Sequence, residues 1–174
     1  PGASAGLRIV PVRVTVRAAR DAAAAPLAAL AERTFRDTFG ADNSARNMDL
    51  HCARSFGAPI QARELSDPAR TTLVASADGA LAGDGQLRGS ATPCVAAGRP
   101  AEIQRIYVDR SWHGRGVAQA LMARLLTAAR ERGADLVWLG VWEHNLRARA
   151  FYRKAGFAEA GDHVFRLGDE DQRD

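Results

Sequence analysis

A short glycine-rich segment carries the clearest chemistry in this sequence. Residues 113–118 read His-Gly-Arg-Gly-Val-Ala, between a strand-like run at 103–108 and a long helix-like run. The first backbone N–H groups of a helix have no partner inside the helix, and the peptide dipoles leave partial positive charge there. Gly114 and Gly116 would let the backbone approach an anion, and Arg115 adds a permanent cation. The segment therefore predicts a phosphate cradle, with tight packing as the alternative.

The segment lacks the marks of the commoner nucleotide-binding loops. A Walker loop carries Lys-Ser or Lys-Thr after its last glycine, whereas Val117 and Ala118 follow here. A dinucleotide-binding loop needs a third glycine, which is missing. Sites for a magnesium nucleotide or a dinucleotide are therefore not expected.

The segment resembles instead the acetyl-CoA loop of the GNAT N-acetyltransferases, which reads Gln or Arg, two residues, Gly, one residue, then Gly or Ala. Gly116 and Ala118 fill the last two positions, and His113 stands at the first. Two later segments match the same family in the same order, 138–145 and 150–157. Further segments resemble the PaiA-type bacterial polyamine N-acetyltransferases: 38–43, 47–49 and 161–169.

This resemblance covers nearly the whole chain after about Val12 and implies a fold. It predicts one α/β domain over 1–174 with the GNAT fold, a central mixed, mostly antiparallel, twisted sheet flanked by helices. A V-shaped splay is expected between the fourth and fifth strands. Residues 1–9 are expected to be a flexible or artificially added end. Superfamily members often form dimers, so a homodimer is also considered.

The resemblance also implies residues that bind acetyl-CoA. The backbone of Ile106, Tyr107 and Val108 would pair with the pantetheine arm and polarise the thioester carbonyl. The pyrophosphate would bind to the loop made of His113, Gly114, Arg115, Gly116, Val117 and Ala118. Asn145 matches a cofactor-contacting asparagine of the superfamily, and capping of the last helix is compatible with that role.

Tyr152 matches the residue that the superfamily uses as general acid towards the CoA thiolate. A phenol with a pKa of about 10 holds its proton at neutral pH and can donate it. Packing of Phe151 and Tyr152 between helix and sheet is the structural alternative.

The group that removes the proton from the amine is less evident. Related enzymes often have Glu on the fourth strand where this chain has Gln104, and glutamine cannot accept a proton. Glu102 lies on the same face two residues earlier, and Glu143 follows the fifth strand. Either carboxylate is a candidate base, either can be an ordinary surface group, and a water chain would need neither.

The acceptor is expected between the first helices and the ends of the central strands. Asp37, Asp42 and Asp49 could attract a cationic amine. Four aromatic side chains could contact its methylene groups: Phe35, Phe39, Trp138 and Trp142. Core packing and helix capping are the alternatives. Arg46 and Arg149 depart from the PaiA-like pattern.

Composition narrows the class of protein. The net charge is +4, but the basic residues are dispersed, so nucleic-acid binding is not expected, while a basic surface favours a polyanion such as CoA. No apolar run approaches the roughly 20 residues that span a bilayer, which predicts a soluble, cytoplasmic protein without membrane contact. Cys52 and Cys94 have no metal-type spacing with the histidines, so we expect reduced thiols and no metal.

The elements that would position these residues follow from periodicity and turn signals. Strands are predicted at 10–17, 71–76, 81–87, 102–108, 136–142, 157–159 and 163–167. Helices are predicted at 21–39, 43–56, 60–65, 116–132 and 145–154. Asp21 should cap the first helix, and Asp78-Gly79 should form a hairpin turn. Asp84, between two glycines, predicts a bulge or local weakening.

The sequence thus predicts an enzyme that transfers acetyl from acetyl-CoA to a primary amine by direct attack in a ternary complex. Polyamines such as spermidine and spermine are the favoured small-molecule acceptors. Another amine is the alternative within enzymes, for example an aminoglycoside, an amino acid or a protein N-terminus. A non-catalytic acyl-CoA-binding regulatory module is the alternative outside them, favoured by Gln104.

Overall fold

The computed structural model describes residues 11–90 and 98–161 in full and residues 164–167 and 170–173 by their backbone. In chain order the elements are β1 (Val14–Ala18), α1 (Ala24–Phe39), α2 (Ala45–Ser55), α3 (Ala58–Ser66), β2 (Arg70–Ala77), β3 (Ala80–Gly89), β4 (Pro100–Val108), α4 (Val117–Glu131), β5 (Leu136–Trp138), α5 (Leu146–Lys154), β6 (Val164–Leu167) and β7 (Glu170–Arg173). Each predicted helix is present. The first predicted strand begins at residue 10, outside the described residues.

Strands β1 to β5 form one sheet in sequence order. Its first three pairs are antiparallel, whereas β4 and β5 run parallel. The parallel pair extends only from Pro100 opposite Leu136 to Glu102 opposite Trp138, and the two strands then separate. The mixed sheet and the splay between the fourth and fifth strands are therefore confirmed.

The fifth strand is shorter than predicted. It was expected over 136–142 and ends at Trp138, because the chain no longer has β4 beside it as a ladder partner. Its three residues are half-buried. The rest of the apolar run forms the connection that leads to α5.

Short-range hydrogen bonds and turn conformations set several element boundaries. The Ser44 side chain accepts a hydrogen bond from the Asn47 N–H at 3.2 Å and caps α2. The hairpin between β2 and β3 turns at Asp78 and Gly79, whose φ angles are 49° and 86°. Asp21 does not cap α1. It lies in a single 3-10 turn, where the N–H of Ala23 already donates to the Arg20 carbonyl.

Helix α4 packs closely on one face of the sheet. Leu121 and Leu125 are completely buried there, opposite Gly83 and Gly85 of β3. A Cβ atom on Gly85 would lie 2.8 Å from Leu125 Cδ1, and one on Gly83 would lie 2.6 Å from the Tyr107 carbonyl oxygen. The two glycines therefore allow the close approach of the helix. Burial of each leucine contributes about 1.5–3 kcal/mol.

The opposite face is covered by the first helices. Phe35 of α1 and Met48 of α2 are buried with Phe56 in a second apolar cluster. The Phe35 and Phe56 rings lie 5.4 Å apart between centroids. Tyr107 of β4 packs against this cluster, which holds α1 and α2 over the sheet.

Asp84 does not weaken the sheet as predicted. It lies in regular register, opposite Val74 and Tyr107, and its side chain is completely buried. Its Oδ2 accepts a hydrogen bond from Arg105 Nε at 2.8 Å, so a buried ion pair takes the place of an apolar contact. The irregularities fall elsewhere, and one of them leaves Gln104 of β4 without a register partner.

Arg105 links this carboxylate to α3. It donates to Glu64 Oε2 at 2.9 Å and to Gln61 Oε1 at 2.7 Å. Burial raises the pKa of the Asp84 carboxyl, although the adjacent guanidinium opposes that shift. The network fastens α3 to the two central strands.

The closing strands differ from the prediction. Residues 157–159 form no strand, since the Phe157 side chain packs against the apolar cluster under α4. β6 pairs with β7 in a separate antiparallel ladder, from Val164 opposite Arg173 to Leu167 opposite Glu170. His163, the predicted start of the last strand, lies outside the described residues.

Candidate functional site

A cleft of about 560 Å³ lies between α1, the end of β4, the start of α4 and α5. It is lined by Thr34, Asp37, Thr38, Ile106, Val108, Arg110, Trp112, His113, Gly114, Val117, Ala118, Gln119, Asn145, Arg147, Ala148, Phe151 and Tyr152. Eight of the residues predicted for cofactor binding or catalysis are among them: Ile106, Val108, His113, Gly114, Val117, Ala118, Asn145 and Tyr152. The rest of the prediction lies around the cleft or outside it.

The glycine-rich loop turns the chain into α4 with left-handed backbone. Gly114 has φ 74° and Gly116 has φ 85°, a region that costs other L-residues about 1–2 kcal/mol. Gly116 is the N-cap of α4, and no side chain among the described residues caps the N–H groups of the first turn. A Cβ atom built on either glycine would meet no protein atom within 4 Å, so the space beside the loop is open. Exposed N–H donors beside open space fit a phosphate group.

A histidine and an arginine stand together at this loop. His113 Nε2 lies 2.9 Å from the Val108 carbonyl oxygen, and His113 Nδ1 lies 2.7 Å from Arg147 Nη1. A neutral ring with its proton on Nε2 satisfies both contacts, donating to the carbonyl and accepting from the guanidinium. His113 therefore braces the loop and orients Arg147, which lines the cleft and adds a cation there.

The sequence did not indicate Arg147 as a site residue. It lies in the first turn of α5, and no local pattern predicts that α5 packs against the glycine-rich loop. Arg115, which was predicted to supply the cation, lies with its guanidinium carbon 5.4 Å from the centre of the Trp112 ring. Neither Arg115 nor Gly116 lines the cleft directly.

Side chains alternate between the two faces of β4, so the residues predicted to bind the cofactor do not all face the cleft. Ile106 and Val108 line the cleft, while the Tyr107 ring faces the α1 and α2 side and contacts Phe56 edge-on at 6.1 Å. Burial raises the pKa of the Tyr107 hydroxyl. The strand therefore offers its backbone and two apolar side chains to the cleft, and the tyrosine side chain belongs to the packing.

Tyr152 lies on α5 with its side chain on the cleft. Burial raises the pKa of its hydroxyl to about 12, so the group keeps its proton at neutral pH. Its ring centroid lies 5.4 Å from that of Phe151 and 6.0 Å from that of Phe157. The residue thus packs the helix and also presents a proton donor, so the two readings of the sequence are compatible.

Asn145 begins the same helix. Its Oδ1 accepts a hydrogen bond from the Ala148 N–H at 3.1 Å, which makes it the N-cap of α5. The residue also lines the cleft. Capping fixes where α5 begins, and with it the positions of Arg147 and Tyr152.

The carboxylates predicted as general base lie outside the cleft lining. Glu102 accepts a hydrogen bond from Arg88 Nε at 2.6 Å, and its side chain is 12% exposed. Glu143 is 43% exposed and lies 3.7 Å from His144 Nε2. Gln104 accepts a hydrogen bond from Arg70 Nη1 at 2.6 Å. A proton-accepting role for Glu102 or Glu143 stays a prediction.

Among the predicted acceptor-binding residues, Asp37 alone lines the cleft. Asp49 accepts a hydrogen bond from Arg36 Nη2 at 2.9 Å. The Phe39 ring at the end of α1 lies 5.5 Å from the Trp142 ring and so connects α1 with the segment before α5. Trp138 is turned elsewhere, with its Nε1 donating to the Ser90 carbonyl at 2.9 Å.

Two further properties concern cysteine and metal ligands. Cys52 is a free, buried thiol whose pKa is raised by burial, and Cys94 lies outside the described residues. Across residues 11–90 and 98–161, no group of three or more histidine, cysteine, aspartate or glutamate side chains could hold a metal ion. No helix in the described part of the chain has the length and apolar character needed to cross a membrane.

Comparison with known proteins agrees with this arrangement. The family model described as acetyltransferase (GNAT) family matches residues 28–157. An uncharacterized N-acetyltransferase of Lactobacillus delbrueckii subsp. lactis is 34% identical over 152 residues, which span 84% of this chain and 85% of the relative. An uncharacterized N-acetyltransferase of Mycobacterium tuberculosis is 36% identical over 149 residues, spanning 85% of this chain and 91% of the relative.

Solved structures share the fold. PaiA N-acetyltransferase from Thermoplasma acidophilum, in complex with coenzyme A, superposes with a TM-score of 0.73 at 18% identity, over 92% of this chain and 96% of that one. The aminoglycoside N-acetyltransferase AAC(6')-Iy in complex with CoA superposes with a TM-score of 0.67 at 16% identity, over 92% of this chain and 97% of that one.

Proposed function

This chain belongs to the GNAT family of acetyltransferases, and on that premise we propose that it transfers the acetyl group of acetyl-CoA to a primary amine of a polyamine such as spermidine or spermine. The observation that carries the proposal is the meeting of the glycine-rich loop and Tyr152 in one cleft. Acetyl transfer from a CoA thioester uses a site for the CoA phosphates and a proton donor for the leaving thiolate, and this cleft offers a candidate for each.

The loop supports binding of the CoA pyrophosphate. Within the part of the chain that the structure describes, the N–H groups of the first turn of α4 have no side-chain cap and the space beside Gly114 and Gly116 is open. Arg147 and Arg110 line the same cleft and would add charge-assisted hydrogen bonds. Ile106 and Val108 on β4 would contact the pantetheine arm along the strand.

Tyr152 would donate the proton that the departing thiolate requires. The amine nitrogen attacks the thioester carbonyl carbon, the C–N bond forms and the C–S bond breaks. The sulfur takes the phenolic proton, the nitrogen loses one N–H proton to solvent, and the tyrosine regains a proton from solvent. Because burial raises the pKa of this hydroxyl to about 12, the donor is fully protonated when the amine attacks.

One acidic group in the cleft, and two that are close in sequence to a pair of neighbouring aromatic rings, support a cationic acceptor. Asp37 lines the cleft, and Asp42 and Glu143 follow closely on Phe39 and Trp142, whose rings are 5.5 Å apart. Carboxylates beside aromatic faces suit a chain of methylenes that carries several ammonium groups. An aminoglycoside also presents several ammonium groups, so it is the second candidate acceptor.

Release of CoA thiol tests the proposal. We would incubate the protein with acetyl-CoA at slightly alkaline pH and measure free thiol with spermine, spermidine, putrescine, an aminoglycoside and several amino acids, each with a protein-free blank. Turnover confined to polyamines is expected. Turnover with another amine would replace the acceptor, and acetyl-CoA binding without thiol release from any amine would support the regulatory module.

A further inference from the structure

We infer that Asp37 is the catalytic base, the group that binds the acceptor ammonium and takes the proton released when the amine attacks. The inference deepens the proposed function and rests on it. It supplies the proton acceptor that neither Glu102 nor Glu143 provides from within the cleft.

Asp37 occupies the required place. It lies in the last turn of α1 and lines the same cleft as Tyr152 and the β4 residues Ile106 and Val108. Of the side chains that line this cleft in the described part of the chain, Asp37 carries the only carboxylate. A base and an acid therefore face one cavity from α1 and α5.

The Asp37 carboxylate has no protein partner within the part of the chain that the structure describes. Its helix neighbour Arg33 donates through Nε and Nη2 to Asp109 at 3.0 and 2.6 Å. Arg36 pairs with Glu32 and Asp49, both at 2.9 Å. Both arginines of α1 thus form ion pairs with other carboxylates, and the Asp37 carboxylate is available to pair with a ligand.

The hydroxyl groups of the neighbouring Thr34 and Thr38 also have other hydrogen-bond partners. Thr34 Oγ1 donates to the Leu30 carbonyl at 2.8 Å, and Thr38 Oγ1 donates to the Thr34 carbonyl at 2.9 Å. Both are bonds within α1. Neither threonine hydroxyl therefore donates a hydrogen bond to the Asp37 carboxylate.

The remaining charged or titratable groups of the cleft are Arg110, His113, Arg147 and Tyr152. The first two follow β4, and Arg147 bonds to His113, so these basic groups gather at the loop that suits phosphate. Asp37 instead lies near the C-terminal end of α1, where the helix dipole is negative. Both that end of the helix and the carboxylate attract a cation.

The chemical step balances. The bound ammonium first loses one proton to solvent, which gives the neutral amine. As the amine nitrogen forms its bond to the carbonyl carbon, its remaining N–H protons become strongly acidic. Asp37 takes one of these protons and passes it to solvent, while the C–S bond breaks and Tyr152 protonates the sulfur. The products are an amide and free CoA thiol, and both side chains return to their starting protonation states.

The test uses Asp37→Asn in the full chain, with the panel amine that gives the highest wild-type turnover and with saturating acetyl-CoA. We expect kcat at pH 7 to fall about 100-fold, as is typical for loss of a general base, while the acetyl-CoA Kd stays within about twofold. The difference in kcat between Asp37→Asn and the wild type should become smaller towards pH 9, because hydroxide replaces the missing base. Asp37→Glu should recover a large part of kcat.

Asp21→Asn is the matched control, since it makes the same change at an exposed aspartate ahead of α1 and outside the cleft. Its kcat should equal the wild-type value. An Asp37→Asn protein that keeps its kcat and shows only a raised amine KM would overturn the inference, leaving attraction of the amine as the role. A deficit that does not change with pH would also overturn it. Failure of the proposed function is visible separately, as absence of turnover in the wild type.

Discussion

The role of Tyr152 gives the sharpest prediction, because the structure supplies both a variant and a pH dependence. Tyr152→Phe keeps the ring that packs against Phe151 and Phe157 and removes only the hydroxyl. That hydroxyl has no hydrogen-bond partner among the described residues, so its loss should change the free energy of unfolding by less than about 1 kcal/mol. A change in rate would then report the chemistry and not the packing.

The expected loss in kcat is about 100-fold at pH 7.5, the lower end of what general acid catalysis contributes. This corresponds to about 2.7 kcal/mol of transition-state stabilisation. The acetyl-CoA Kd should stay within about twofold, since the loop and β4 are unchanged. Kinetics at saturating acetyl-CoA, together with calorimetric titration of acetyl-CoA, would separate the two quantities.

The pH dependence of the wild type is a second, independent measure. An acid must be protonated to act, so kcat falls as pH rises through its pKa. At pH 10 a phenol of ordinary pKa is about half ionised, whereas one raised to about 12 is only about 1% ionised. We therefore expect kcat to show no decline up to pH 10, measured in short assays with the blank hydrolysis of the thioester subtracted.

Two results would refute this reasoning. A wild-type decline centred near pH 10 that is absent from Tyr152→Phe would mean that the hydroxyl is not desolvated as described. A variant kcat within twofold of the wild-type value would remove Tyr152 from the mechanism.

The other predictions concern the cradle and the buried ion pair. Gly116→Val should weaken acetyl-CoA binding at least about 10-fold, whereas Gly79→Val, which has the same left-handed strain in a distant hairpin, should not. Arg147→Met should weaken acetyl-CoA binding about 10-fold and lessen its salt dependence, in contrast to Arg153→Met on the same helix; equal affinities in calorimetry would contradict this. Arg105→Met should lower the free energy of unfolding by about 3–5 kcal/mol in urea titrations, because it leaves a buried carboxylate unpaired; a loss under 1 kcal/mol would contradict this.

The buried pair also sets a sign for the pH dependence of stability. Burial raises the pKa of Asp84 above its unfolded value, so the folded state binds the proton more tightly than the unfolded state does. The contribution of Asp84 to stability is therefore greatest below its unfolded pKa and falls as pH rises through the folded one. Removing Arg105 would enlarge that fall, which gives the Arg105→Met measurement a signature in pH.

Features that depend on a few consecutive residues were predictable. The loop at Gly114 and Gly116, the hairpin at Asp78 and Gly79 and the cap at Asn145 each follow from the conformations or hydrogen bonds available to those residue types. The order of strands and helices, together with the motifs, was enough to indicate the GNAT fold. The N-cap prediction failed at Asp21, because a 3-10 turn forms there and the Ala23 N–H donates to the Arg20 carbonyl instead.

Features that depend on distant segments were decided by the tertiary structure. Asp84 looked misplaced in its strand because its partner Arg105 lies 21 residues away on the neighbouring strand. Arg147 meets His113 across 34 residues only because α5 packs against the loop. Gln104 has no register partner because of the way β3 and β4 pair, and short-range patterns do not encode that pairing.

The candidate site shows the same division. Residue types and spacing predicted an anion-binding turn, a tyrosine donor and several candidate carboxylates. Which carboxylate faces the donor was settled by the packing of α1 over β4, which brings Asp37 to the cleft, and by the register that sets Glu102 opposite Arg88. Local preferences act within a turn or two of chain, whereas catalytic geometry depends on the burial of apolar faces far apart in sequence.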